Sequence, residues 1–124
     1  MTQLIIEGNE MPEIDKNRYA CYESVLGQQL KMAAGNLVFE YVGKVQIIQA
    51  KYNYIDTELW KKIRPILKSG ADFQVVYLPD SGDELLPGTF MVTSMSDPSF
   101  SFSAGGKAYW TGLAFELREV EPHA

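Results

Sequence analysis

The segment AYWTGLAFELREV, Ala108 to Val120, places Tyr109, Thr111, Leu113, Phe115 and Leu117 on alternate positions. Trp110, Gly112, Ala114, Glu116 and Arg118 fall between them. A period of two is the pattern of a β-strand with one covered face. The apolar side must lie against a helix or a facing sheet, so the rest of the chain is read as the source of that cover.

Working outward, Ala104-Gly105-Gly106-Lys107 turns into this strand from SFSFS, itself a short strand. Asp97-Pro98 separates SFSFS from TFMVTSM, in which Phe90, Val92 and Ser94 alternate with Met91, Thr93 and Met95. FQVVYL sets Phe73, Val75 and Tyr77 against Val76 and Leu78, and PDSGDELLPG reads as a loop rich in turn residues.

Before these strands the period changes. In DTELWKKIRPILKSG, Leu59 or Trp60, Ile63, Ile66 and Leu67 recur at helical spacing. Asp56 suits the N-cap, Glu58 the positive N-terminus, and Lys68 with Gly70 the stop. Pro65 lacks an N–H and its ring clashes with the Lys61 carbonyl, which predicts a kink near residues 61–65. Upstream, Leu37, Phe39 and Tyr41 share one face. After Gly43 come Val45 and Ile47, with Ile48, Ala50, Tyr52 and Tyr54 opposite. The glycine implies a bend or bulge in one long strand, or two strands. A hairpin across Gly35-Asn36 links this run to an extended stretch from Tyr19 to Met32, where Val25, Leu30 and Met32 are inward candidates and Gly27 marks a bulge. Leu4, Ile5 and Ile6 start a strand that ends at Gly8-Asn9 and Pro12.

The expected fold is mainly β (α+β). It is an antiparallel β-sandwich or partly closed barrel of about seven or eight strands, with one flanking helix over residues 57–69, forming a single domain across 1–124. The composition, 46% hydrophobic and 22% charged over 124 residues, is that of a globular domain. A net charge of −5 argues against a basic nucleic-acid footprint. Cys21 alone cannot form an internal disulfide and reads as a packing residue. MTQLIIEGNEMPEID lacks a charged n-region and a signal-length apolar core, and no apolar window approaches the ~20 residues of a membrane helix. A soluble protein made in the cytoplasm, with no membrane partner, is the expectation.

No pattern of catalytic groups emerges. The single histidine, His123, stands next to the last residue, so a Cys21–His123 pair is a poor nucleophile–base unit. Asp80-Ser81-Gly82-Asp83-Glu84 lacks the ligand ladder of an EF-hand and reads as a solvated turn. In SFSAGGKAY, Ala108 stands where a phosphate-binding loop needs Ser or Thr, and Ser101 where its first Gly belongs. Glu116, Arg118 and Glu119 suggest cross-strand ion pairs rather than a two-carboxylate site. No enzyme activity, cofactor or metal is expected. Trp60 belongs with the core. Trp110, out of phase with Leu113, Phe115 and Leu117, shares the face of Glu116 and Arg118 and is a candidate partner contact. Tyr109 joins it as a contact candidate, as do Phe100 and Phe102 on one side of their short strand.

Asn36-Leu37-Val38 after a glycine turn leads through a strand into the helix at Asp56. Ile66-Leu67, the Phe73–Tyr77 strand and the closing Trp110-x-Gly112-Leu113-x-Phe115-x-Leu117-x-Glu119-Val120 follow. In this order the chain resembles small phage and prophage tail-module proteins of Gram-positive bacteria. The resemblance implies a virion structural protein of the tail tube, connector or baseplate, assembled in the bacterial host cytoplasm. It implies partners among further copies, as a ring, and among other tail proteins, with no sequence-specific nucleic-acid binding. An acidic chain would suit a lumen that repels DNA phosphates. The alternative is a ligand-binding β-sandwich of carbohydrate type, with Trp110 and Tyr109 as a stacking platform.

Overall fold

The computed structural model describes residues 2–14, 18–31, 37–79 and 81–120, without the side chains of 26–42. The turn expected at 34–36, Met32, Asp80 and His123 lie outside the described residues. In order, the elements are β1 (Leu4–Ile6), β2 (Asn9–Glu10), β3 (Tyr19–Lys31), β4 (Leu37–Tyr52), β5 (Ile55–Asp56), α1 (Thr57–Leu67), β6 (Phe73–Tyr77), β7 (Leu86–Ser96), β8 (Ser99–Ala104), β9 (Lys107–Thr111) and β10 (Leu113–Glu119). They form a seven-stranded sheet, β2-β1-β6-β7-β10-β4-β3, and a three-stranded sheet, β5-β9-β8. Every pairing is antiparallel. This is the expected sandwich-like β architecture with a flanking helix, and neither sheet closes into a barrel. Ten described strands exceed the expected seven or eight for two reasons. β2 and β5 are each two residues long, too short for any period, and the closing run divides.

That division is at Gly112, whose φ of +86° is the left-handed region open to glycine. The alternation through 108–120 is therefore two strands in different sheets. β10 lies between β7 and β4 at the middle of the large sheet and buries Leu113, Phe115 and Leu117. β9 turns away into the small sheet. The pattern continues across the break because Thr111 and Leu113 keep the spacing, which hides the crossing from periodicity.

The core lies between one face of the large sheet and α1. Leu4, Ile6, Ile48, Phe90 and Leu117 from the sheet meet Ile63 and Leu67 from the helix, with Leu59, Trp60 and Ile66 partly buried against them. Each large apolar side chain so buried contributes about 1.5–3 kcal/mol before entropy costs. Asp56 caps the helix as expected, its carboxylate accepting the Leu59 N–H at 2.9 Å. The helix ends at Leu67, two residues short of the expected boundary, and continues past Pro65.

β7 begins at Leu86, inside the stretch expected to be a loop. Gly88 makes this possible: a Cβ there would lie 2.8 Å from Phe90 Cε1 and 3.2 Å from Tyr77 Cε1. Those rings pack edge to face at 5.0 Å over the glycine backbone. Leu-Pro-Gly reads as a turn, but here the glycine serves close packing inside a strand.

β3 and β4 form a long hairpin whose register shifts at Leu26/Gly27: Leu26 faces Gly43 and Gly27 faces Tyr41. The bulge expected at Gly27 is present, with Val42 as the extra residue on the opposite strand, and β4 stays one continuous strand. β10 pairs with β4 only from Ile47 to Tyr52. Beyond Ile47, β4 has β3 as its one strand neighbour among the described residues, leaving a two-stranded arm.

Candidate functional site

The four aromatic residues expected to meet a partner come together in the small sheet, but on two faces. β8 pairs with β9 so that Phe100 faces Trp110 and Phe102 faces Tyr109, with Ser101 as an extra residue. Trp110 and Tyr109 are strand neighbours and point to opposite faces. The bulge therefore separates Phe100 from Phe102, which plain alternation would keep on one side. It also means that Trp110 and Tyr109 do not form one platform.

On one face Phe102 stacks on Tyr109 at 5.0 Å with planes 16° apart, and Tyr54 meets Phe102 edge-on at 5.3 Å. Tyr54 is 55% exposed and Phe102 41%. On the other face Trp110 meets Phe100 edge-on at 6.0 Å. The indole Nε1–H donates to Thr57 Oγ1 at 3.0 Å, and that hydroxyl donates to the Ala108 carbonyl at 3.2 Å. Trp110 is thus a joint between helix and small sheet, partly buried on the core and not on the face of Glu116 and Arg118. Phe100, Phe102 and Tyr54 keep the exposed area. Tyr54 escaped sequence analysis because its spacing continues the β4 alternation, although it lies just before β5.

The arm is the second surface. Its shaft pairs Glu23 through Lys31 with Gln46 back to Leu37, past the reach of β10. Val25 shares the phase of the half-buried Tyr19 and Cys21, yet it is 50% exposed, so the body's cover has ended there. Glu23 and Lys44 pair across the shaft at 3.4 Å.

The solvent face of the large sheet carries a polar ladder. Gln49 Nε2 donates to Glu116 Oε1 at 2.9 Å, and Thr93 Oγ1 donates to Glu116 Oε2 at 2.7 Å. These donors, Gln49 first, hold the Glu116 carboxyl below the usual carboxylate range. Glu119 Oε1 accepts the Gln46 N–H at 3.1 Å. The contacts described for Glu116 are hydrogen bonds to neutral side chains, where the sequence suggested cross-strand ion pairs. Among the described residues no polar or charged side chain is buried, and no three His, Cys, Asp or Glu converge as a metal site. Compared with known proteins, the chain matches no family model and no curated sequence.

Proposed function

We propose that the chain is a non-enzymatic structural protein of a phage tail, a component of the tube, connector or baseplate. It assembles in the host cytoplasm and joins the virion by docking on further copies and on other tail proteins. The β3–β4 arm carries this reading. A two-stranded ribbon of roughly 30 Å is marginal by itself in water. Its outer strand presents a row of open backbone groups, and a neighbouring subunit would cover both strand and edge. Contact between unlike surfaces of successive copies is what generates a ring.

Sedimentation over a range of concentrations tests the reading. The full chain is expected to form oligomers. Replacing residues 26–43 by Asn-Gly, which closes the hairpin at the existing Val25–Lys44 pair, should leave a monomer whose body melts as before. A full chain that stays monomeric while its tryptophan fluorescence responds to glycans would favour the ligand-binding alternative.

A further inference from the structure

The hollow where β4 meets the β9–β10 crossing has two cationic residues, Arg18 and Lys51, in its lining. It encloses about 230 Å³, and its border includes Arg18, Lys51, Asn53, Thr111, Gly112 and Ala114. Among the described residues no carboxylate lines it, although the sequence has sixteen acidic residues against eleven basic ones. The Lys51 N–H donates to the Arg18 carbonyl at 2.9 Å, which fixes the two backbones side by side. Both side chains belong to exposed residues, and neither has an ion-pair partner among the described residues.

Local structure makes the room. Ala114 pairs with Lys51, so a methyl group rather than a longer side chain borders the hollow beside that lysine. At Gly112 an added Cβ would meet nothing within 4 Å, which leaves the crossing backbone open to approach. Nearby acids line other hollows: Glu116 a larger one of about 300 Å³ that shares Lys51 and Ala114, and Glu13 one that shares Lys51.

We propose that this hollow binds a small dianionic oxoanion, phosphate or sulfate, between the Arg18 guanidinium and the Lys51 ammonium, with the Thr111 hydroxyl at its border. Two cations without an ion-pair partner among the described residues match a double negative charge. A guanidinium fork binds two oxygens of such an anion at once, while the ammonium supplies a point charge. The site is independent of the assembly reading, since neither cation lies in the arm.

Phosphorus NMR titration with inorganic phosphate and thermal unfolding at matched ionic strength test it together. Phosphate and sulfate are expected to raise the melting midpoint, whereas acetate and chloride are not. Arg18→Gln and Lys51→Gln should each weaken phosphate binding by about tenfold, and Lys44→Gln should leave it unchanged. Ala114→Leu, which fills the hollow and keeps both charges, should abolish binding. Equal shifts from acetate or chloride would overturn the proposal. So would wild-type affinity in Arg18→Gln, Lys51→Gln or Ala114→Leu.

Discussion

Tyr52 is 3% exposed and its ring tilts against Phe115 at 5.9 Å, yet its hydroxyl has no hydrogen-bond partner among the described residues. Tyr19 solves the same problem: its hydroxyl donates to the Leu78 carbonyl at 2.7 Å. Burial pushes both phenols above their ordinary range, and the nearness of Tyr19 raises Tyr52 further. A buried polar group without a partner costs about 1–3 kcal/mol. Tyr52→Phe keeps the ring and removes the oxygen, so it is expected to raise stability by about 1 kcal/mol in urea unfolding. A less stable variant would mean that the hydroxyl is satisfied in solution. Sequence reading placed Tyr52 on one face of its strand with Ile48, Ala50 and Tyr54, opposite Val45 and Ile47. The unpaired oxygen was not legible, because it depends on what the opposite elements present.

At the scale of elements, α1 is the part that the sequence describes best. Its cap, apolar stripe and C-terminal turn are local features, set within four residues of one another, and local spacing is what a sequence displays. Pro65 is exposed and leaves the Lys61 carbonyl without its helical N–H, yet Ile63 and Leu67 are buried deeply enough to carry the helix through. Pro65→Ala is expected to raise the melting temperature, with a gain of about 1–3 kcal/mol from the restored bond. An unchanged or lower value would show that proline acts mainly by restricting the unfolded chain. The strand faces of Leu113, Phe115 and Leu117 were equally readable. The change of sheet at Gly112 and the bulge at Ser101 were not. Each needs one residue outside the ladder, and neither alters the alternation that surrounds it. That is why Trp110 and Tyr109 were read as one platform, and Phe100 and Phe102 as one side, where the sheet separates each pair.

Across the whole molecule, each copy carries a net charge of −5 into any assembly. Residues 26–42 of the arm include one Lys and one Glu, Lys31 and Glu40, so this part of the arm adds no net repulsion. Long-range repulsion between bodies remains and is screened by salt. Going from about 0.01 to 0.15 M shortens the screening length from roughly 30 to 8 Å. The oligomer fraction in sedimentation is therefore expected to rise over that range. A fall would show that the contacts are made by opposite charges, contrary to an arm-based interface.

The place of β10 in the large sheet also governs the order of events during synthesis. The strand that joins β7 to β4 is later in the chain than every other strand of that sheet. While a ribosome is still making residues 113–119, the β2-β1-β6-β7 half and the β3–β4 hairpin can each form, but no strand joins them. The core between them lacks Leu113, Phe115 and Leu117 on the nascent chain until that final segment emerges. A chain stalled before Leu113 is thus the species most exposed to chaperones and to aggregation.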